Sequence, residues 1–365
     1  AEFRNSSQIW ILKRVKEKYC VDRIISSAWS PPYKWKVREG QNTGEGFNYL
    51  KADHYQDYAN YMANYVKMHE RVNLKLYAIS PQNEPEYATT DWDGCIWLPH
   101  QTANFVKHYL KPTFKNQSID TKIIIGETAN WNLANTYLLT TSSMLRNEDF
   151  DIYASHGYSI PQFPDFKYVS YNQHVYPWFS KALYKKKRWI TEVSATDPYD
   201  GTMKKAIQLA DSLIQFLTVG DVNGFVFWDA VVRFENNEGL IIPKQGSLTF
   251  PRIYHVYGQF TRFIKQGYIR VNTHKSIISS SSIKVVAFKN EYNNEFTVVL
   301  TNKRNKDKMC EIIFPSQTIE NKSLTAVLTN DEKLWSPTIV QMKSTHEIIV
   351  SVPSLSVITI TGRVQ

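Results

Sequence analysis

Two glutamates in this chain are placed where a pair of carboxylates could act on one bond. Glu84 lies in the run Leu76–Pro85 (LYAISPQNEP), and Glu192 lies near the end of Arg188–Val193 (RWITEV). Both runs begin as short, nearly continuous apolar segments, the pattern of strands buried on two faces. In a βα barrel, functional side chains sit at the C-terminal ends of strands. A carboxylate at each of two strand ends can therefore flank one glycosidic bond. A retaining glycosidase needs such a pair about 5–5.5 Å apart, one protonating the leaving oxygen and the other attacking the anomeric carbon. Taken singly, each signal is ordinary. Asn83-Glu84-Pro85 is only a tripeptide, and Glu192 alone reads equally as a strand-end carboxylate paired with an arginine. The two together carry the inference, because other strand ends bring Trp29, His156, Tyr158 and Trp228 to the same side.

The elements needed to position these groups follow from the pattern of the first 260 residues. Strand-like runs occur at Arg23–Ser30, Leu76–Ser80, Lys122–Glu127, Asp151–His156, Arg188–Val193 and Asn223–Asp229. Helical periodicity lies between them. Asp53 is expected to cap a helix that turns Tyr55, Tyr58, Ala59, Met62 and Val66 inward. Pro99 suits the first turn of another, with Ala103, Val106 and Leu110 inward. Ala206, Leu209, Ala210, Leu213 and Phe216 mark a third. Alternating strand and helix imply an α/β fold with a parallel sheet. After about Phe263 the texture changes to short strands separated by turn residues: Val285–Phe288, Glu295–Thr301, Cys310–Phe314, Ser323–Leu328, Glu347–Val350 and Ser356–Thr361. These predict a small antiparallel β-sandwich packed on the first part without a flexible linker. The expected division is 1–263 and 264–365.

Composition excludes several classes. The 365 residues can bury a large core, and their apolar and charged contents are those of a globular protein. No apolar run is long enough to span a bilayer. The net charge of +9 is spread along the chain, its longest cluster being Lys185-Lys186-Lys187-Arg188, and no nucleic-acid module accompanies it. A basic surface favours an acidic substrate such as a uronic-acid-bearing polysaccharide. Cys20, Cys95 and Cys310 form no CxxC pair, so neither a zinc site nor a dithiol redox site is expected. Sequons at Asn5, Asn116 and Asn321 permit a secreted glycoprotein. The 10 Trp and 22 Tyr suit either an aromatic core or a cleft that stacks sugar rings.

Four stretches together resemble glycoside hydrolase family 30: Ser27-Ala28-Trp29-Ser30-Pro31-Pro32, then Leu76 to Pro85, then Trp189-Ile190-Thr191-Glu192, then Phe260-Thr261-Arg262-Phe263-Ile264 with Gly267 and Arg270-Val271. The resemblance implies a (β/α)8 TIM barrel packed on a β-sandwich, and retention of anomeric configuration. It makes Glu84 the acid/base, Glu192 the nucleophile and Asn83 the contact to the substrate 2-hydroxyl. Glu84 must then hold a proton before the reaction, which calls for a partly apolar setting and the neighbouring charge of Glu192. The resemblance also places Trp29, Tyr158 and Trp228 along the subsites. His156 could orient Glu192, or be a hydrogen-bonded strand-end histidine. The family's glucuronoxylanases carry a paired-arginine segment after the last barrel strand. Here that region reads Ala230-Val231-Val232-Arg233-Phe234, leaving only Arg233 to grip a glucuronate carboxylate.

The helix predicted at Gln8–Tyr19 looks like one that follows a second barrel strand, so the first two of eight strands are expected to be missing. An open sheet of six would have two apolar edges. The expectation is a secreted, monomeric endo-β-1,4-xylanase acting on (glucurono)xylan, needing no cofactor and no metal. Alternatives are a glucosylceramidase-like or β-1,6-glucan or galactan hydrolase and, outside the enzymes, an inactive fragment or carbohydrate binder.

Overall fold

The structure, a computed structural model, describes residues 6–38, 48–159, 168–178, 185–274 and 282–365. The sequon at Asn5 lies outside the described residues. The chain forms two compact units that interleave along the sequence. The first holds residues 1–157, 177–192 and 222–225, and the second 158–176, 193–221 and 226–365. The expected division at 263/264 thus falls inside the second unit.

The first unit opens with α1 (Ser7–Tyr19), the helix expected there. Ser6 caps it by accepting the Ile9 N–H at 3.2 Å, and Cys20 ends it in the left-handed region, φ 55°. Six parallel strands follow in sequence order: β1 (Ile24–Ser27), β2 (Leu76–Ser80), β3 (Lys122–Thr128), β4 (Ile152–His156), β5 (Lys187–Glu192) and β6 (Gly224–Phe225). They are the six runs read from the sequence. β1 and β6 are the edges of this open sheet. One core gathers Ala78, Ile124, Ile152, Ala154 and Trp189, with Ile25 and Tyr77 packed against it. Trp189 stacks on Tyr77 with centroids 5.8 Å apart. Gly224 leaves room for that indole, since a Cβ there would lie 2.5 Å from the Trp189 ring.

Helix α2 (Tyr55–Arg71) buries Tyr58, Ala59, Met62 and Val66, as its periodicity predicts. Its start differs from expectation. Asp53 is not the cap but lies within a 3₁₀ turn, Ala52–His54, that runs straight into the helix. That turn's own i→i+3 bonding leads the backbone in, so no side chain is needed as a cap. Pro99 begins α3 (Pro99–Phe105), which passes through a π-turn (Val106–Leu110) into α4 (Lys111–Asn116); Ala103, Val106 and Leu110 are buried. Helix α5 (Trp131–Ser143) has no counterpart in the sequence reading. Rich in Thr, Ser and Asn, it has poor intrinsic propensity. It forms because Asn130 caps the amides of Asn132 and Leu133, and because Trp131, Ala134 and Leu138 are buried.

The second unit contains α6 (Met203–Thr218), a hairpin of β7 (Ile242–Lys244) and β8 (Ser247–Thr249), and α7 (Arg252–Thr261). Nine further strands follow: β9 (Ile269–Val271), β10 (Ile283–Lys289), β11 (Glu295–Asn302), β12 (Lys308–Ile313), β13 (Thr325–Thr329), β14 (Ser336–Pro337), β15 (Val340–Ser344), β16 (Glu347–Val352) and β17 (Ser356–Arg363). They make one antiparallel sheet in the order β14-β13-β17-β11-β10-β9 and another in the order β12-β16-β15. Val298, Leu300, Ile358 and Ile360 of the first share a core with Ile348, Val350 and Val352 of the second. This is the predicted sandwich. The two helices are fastened to it: Thr359 Oγ1 donates to the Gln259 carbonyl at 2.7 Å, and Asp211 of α6 takes Lys284 Nζ at 3.1 Å and Thr301 Oγ1 at 3.1 Å.

Candidate active site

Three strand ends of the first unit build the site, and irregular backbone aims each of its side chains. The turn Pro81–Pro85 after β2 carries Asn83 and Glu84. It is tied down on three sides: Asn83 N–H donates to the Ala28 carbonyl (2.7 Å), Glu84 N–H to the Glu127 carbonyl (2.8 Å), and Tyr58 Oη of α2 to the Pro81 carbonyl (2.7 Å). Gln82 Nε2 adds a bond to the Trp29 carbonyl at 2.6 Å, linking this turn to the segment after β1. Glu84 itself has φ 43°, a left-handed conformation that costs a non-glycine residue roughly 1–3 kcal/mol and clusters at functional sites.

Strand β4 supplies His156 and β5 supplies Glu192. Ser155 pairs with Ile190, but His156 pairs with Glu192, so the register skips Thr191. Such irregularities re-aim the side chains beside them. Here the skip sets Glu192 opposite the imidazole, and Gly157 N–H secures the Glu192 carbonyl at 2.8 Å.

The result is a compact trio. His156 Nδ1 is 3.1 Å from Glu84 Oε1 and 3.6 Å from Glu192 Oε1. One oxygen of each carboxylate and a ring nitrogen of His156 all lie within 4.8 Å of one another. The imidazole is fully buried, while both carboxylates keep slight exposure, with side chains 10% and 14% accessible. A substrate can reach the glutamates but not displace the histidine. Burial by itself would favour neutral His156. The neighbouring carboxylates Glu192, Glu84 and Glu127 outweigh burial and push its pKa up to about 10. Glu86, two residues beyond Glu84, is pushed up to about 7, chiefly by burial, although the Ala129 N–H bonds its Oε1 at 2.7 Å.

The structure brings Glu84, Glu192 and His156 together and puts buried Asn83 beside Glu84 in the chain. Trp29 is half-buried in the segment bonded to the Glu84 turn. Tyr158, Trp228 and Arg233 belong to the second unit. There Tyr158 is buried with its hydroxyl 3.4 Å from Ser194 Oγ, Trp228 is half-buried with its amide on the Val193 carbonyl, and Arg233 is exposed. One residue escaped the sequence reading. Glu127 ends the third strand-like run, where the apolar pattern marks it only as a strand residue. Its position at a strand end, directly after a glycine, was the available signal. Beyond the trio, no group of three or more His, Cys, Asp or Glu side chains among the described residues comes close enough to share an ion.

With this geometry in hand, comparison with known proteins is informative. The model of O-glycosyl hydrolase family 30 matches residues 3–176. The chain is 25% identical over 289 residues to the glucuronoxylanase XynC of Bacillus subtilis, covering 77% of this chain and 60% of that protein. It is 24% identical over 305 residues to a putative glucosylceramidase 4 of Caenorhabditis elegans, covering 77% and 56%. The chain therefore spans three-fifths or less of the length of these relatives. The fold matches the catalytic domain of a GH30 xylanase C from Talaromyces cellulolyticus with a TM-score of 0.83, at 20% identity, over 99% of this chain and 81% of that one.

Proposed function

We propose that this chain, whose residues 3–176 match the model of O-glycosyl hydrolase family 30, hydrolyses a β-glycosidic bond by double displacement, with Glu84 as acid/base and Glu192 as nucleophile. The observation that carries this reading is the approach of the two strand-end carboxylates to within 4.8 Å across one imidazole. An oxygen–oxygen approach this close suits the separation of about 5–5.5 Å between the carboxyl groups of retaining enzymes.

In the first half-reaction, a Glu192 oxygen bonds to the anomeric carbon as the bond from that carbon to the leaving oxygen breaks. The leaving oxygen takes the proton of Glu84. In the second, Glu84 removes a proton from water, water attacks the same carbon, and Glu192 leaves as carboxylate. Asn83 is assigned to the 2-hydroxyl, where a hydrogen bond strengthens in the transition state. Trp29, Tyr158 and Trp228 are assigned to sugar stacking.

For substrate we infer a β-1,4-xylan, attacked internally. The glucuronoxylanase relative and the xylanase-like fold support this, and Arg233 would be the cation for a glucuronate branch. A second reading has comparable sequence support: the glucosylceramidase relative, at 24% identity, favours a lipid glycoside. Reducing-sugar release from glucuronoxylan, unsubstituted xylan and β-1,6-glucan, run beside hydrolysis of glucosylceramide, separates them. Release from xylans alone supports the first reading, and turnover of glucosylceramide alone replaces it. No turnover of any substrate by folded protein favours a carbohydrate binder.

We further propose passage through a secretory pathway. Asn116 at the end of α4 and Asn321 are both exposed, as glycan acceptors must be. Expression in a eukaryotic secretory host followed by endoglycosidase digestion should show a mass decrease, which Asn116→Gln and Asn321→Gln together should reduce or remove. No helix among the described residues is long and apolar enough to cross a membrane.

A further inference from the structure

One concavity of the second unit is lined almost wholly by cations. The connection from β11 to β12 crosses from one sheet of the sandwich to the other and reads Lys303-Arg304-Asn305-Lys306-Asp307, with Lys308 opening β12. Lys303, Arg304, Asn305, Lys306 and Lys308 line a cavity of about 540 Å³, a volume in the range of small-molecule sites. Like charges gathered around one cavity repel one another, and no carboxylate here offsets them. Arg304, Lys306 and Lys308 make no ion pair among the described residues. Lys303 Nζ stands 4.0 Å from Asp211 Oδ2, an oxygen that Lys284 takes at 3.1 Å. Asp307, the one acid of the crossing, accepts the Ser354 amide at 2.9 Å.

The backbone beneath these cations is fixed. Asn302, fully buried at the end of β11, reaches three carbonyls through Nδ2: Lys306 at 2.8 Å, Val352 at 3.1 Å and Pro353 at 3.0 Å. Its Oδ1 accepts the Arg304 amide at 3.1 Å, and the Arg304 carbonyl accepts the Leu355 amide at 3.1 Å. The crossing is thereby fastened to the turn between β16 and β17. A ligand meeting it has only side chains to order, which lowers the cost of binding. The cations call for an anion, and Arg304 supplies the planar fork that takes a carboxylate with two hydrogen bonds. A concave site receives one residue of a chain, whereas a bilayer presents a plane. Residues 303–308 include no apolar side chain to enter a membrane and no ring to stack a nucleobase. We propose that the 303–308 crossing is a second polysaccharide site, one that holds the uronate branches of an acidic glycan and so concentrates the polymer at the protein. This inference rests on the hydrolase reading above and extends it to a tether apart from the carboxylate pair.

Native gels cast with glucuronoxylan test it on the full chain, carried as Glu192→Gln so that the polymer is not consumed. The control is the same polymer with its uronate carboxyls reduced to alcohols. Glucuronoxylan should retard the protein more than the reduced polymer does, and salt of about 1 M should erase the difference. Arg304→Gln, Lys306→Gln and Lys308→Gln combined should weaken binding to glucuronoxylan about tenfold and leave binding to the reduced polymer unchanged. Lys306→Arg with Lys308→Arg, which keeps both charges, should bind as the parent does. With Glu192 intact, the neutral triple variant should turn over a short unbranched xylo-oligosaccharide at the parent's rate. Equal retardation by the two polymers overturns the proposal, as does a neutral triple variant that binds glucuronoxylan as tightly as its parent. A carboxylate-dependent binding lost in Arg233→Gln but kept in the triple variant overturns it too, as does retention by phosphatidylserine vesicles or single-stranded DNA without retention by glucuronoxylan. A wild type that turns over no glycan, while the triple variant loses its carboxylate-dependent binding, would sink the hydrolase reading and leave this site standing. Turnover of glucuronoxylan with binding indifferent to the triple variant would do the reverse.

Discussion

A single ring nitrogen organises the chemistry at the residue scale. Because His156 Nδ1 faces one oxygen of each glutamate, its charge can follow whichever carboxylate is ionised. Replacing Glu84 with Gln should lower kcat about 10²–10⁴-fold on substrates with poor leaving groups. The deficit should shrink on aryl glycosides whose leaving group needs no proton. Glu192→Gln should abolish turnover, and a 2-fluoro glycoside should label Glu192 in the wild type. Mass spectrometry of the labelled peptide checks the assignment, and a label on any other residue would sink it. Glu86 offers a test independent of substrate. Its folded pKa of about 7 lies above the ordinary 4.5, so its ionisation opposes folding: stability is lost as pH rises from about 4.5 to 7. Glu86→Gln keeps the acceptor for the Ala129 amide and should remove that loss. The variant should gain on the wild type by up to about 3 kcal/mol over this window, read from denaturant melts at each pH. Equal melts throughout would show that Glu86 is not held in an apolar setting.

The elements of the barrel sheet matter through their defects rather than their regularity. β3 and β5 each carry one unpaired residue where they meet β4, Glu127 and Thr191, and both defects fall at the site. Gly126→Ala should test the first. The new methyl meets the Ala154 carbonyl and the Leu138 side chain, and the backbone must hold a positive φ besides. A loss of about 2–4 kcal/mol is expected, with activity falling more than the fraction unfolded because His156 and Glu127 shift together. A near-neutral melt would mean the bulge can relax.

For the whole molecule, the second unit depends on α6 as much as on its strands. Asp211 interrupts that helix's apolar face, yet is buried against Lys284 and Thr301. Asp211→Ala strands a half-buried lysine and an inward hydroxyl, and should cost about 3–5 kcal/mol. Ile358→Ala, which empties the sandwich core, should cost about 2–5 kcal/mol. Equilibrium unfolding in urea measures both, and losses below about 1 kcal/mol would show that neither contact supports the unit.

Much of this protein was decided by local pattern. Continuous apolar runs give the six parallel strands because both faces of such a sheet are buried, and 3.6-residue periodicity gives α2, α3 and α6 because one face of each must be. Glu84 and Glu192 were legible because each ends such a run. What periodicity cannot encode is one-residue register. The skipped Thr191 and the bulged Glu127 leave no trace in hydrophobicity, although they set which side chains face His156. The start of α2 at Tyr55, led in by the Ala52–His54 turn, and the existence of α5, held by its Asn130 cap and buried Trp131, likewise lie outside what periodicity encodes. Glu127 marks the limit most plainly. In the sequence it is the last residue of a strand-like run, and only the fold, by burying it against Ser27 and bringing the Glu84 turn onto its carbonyl, makes it part of the site's support.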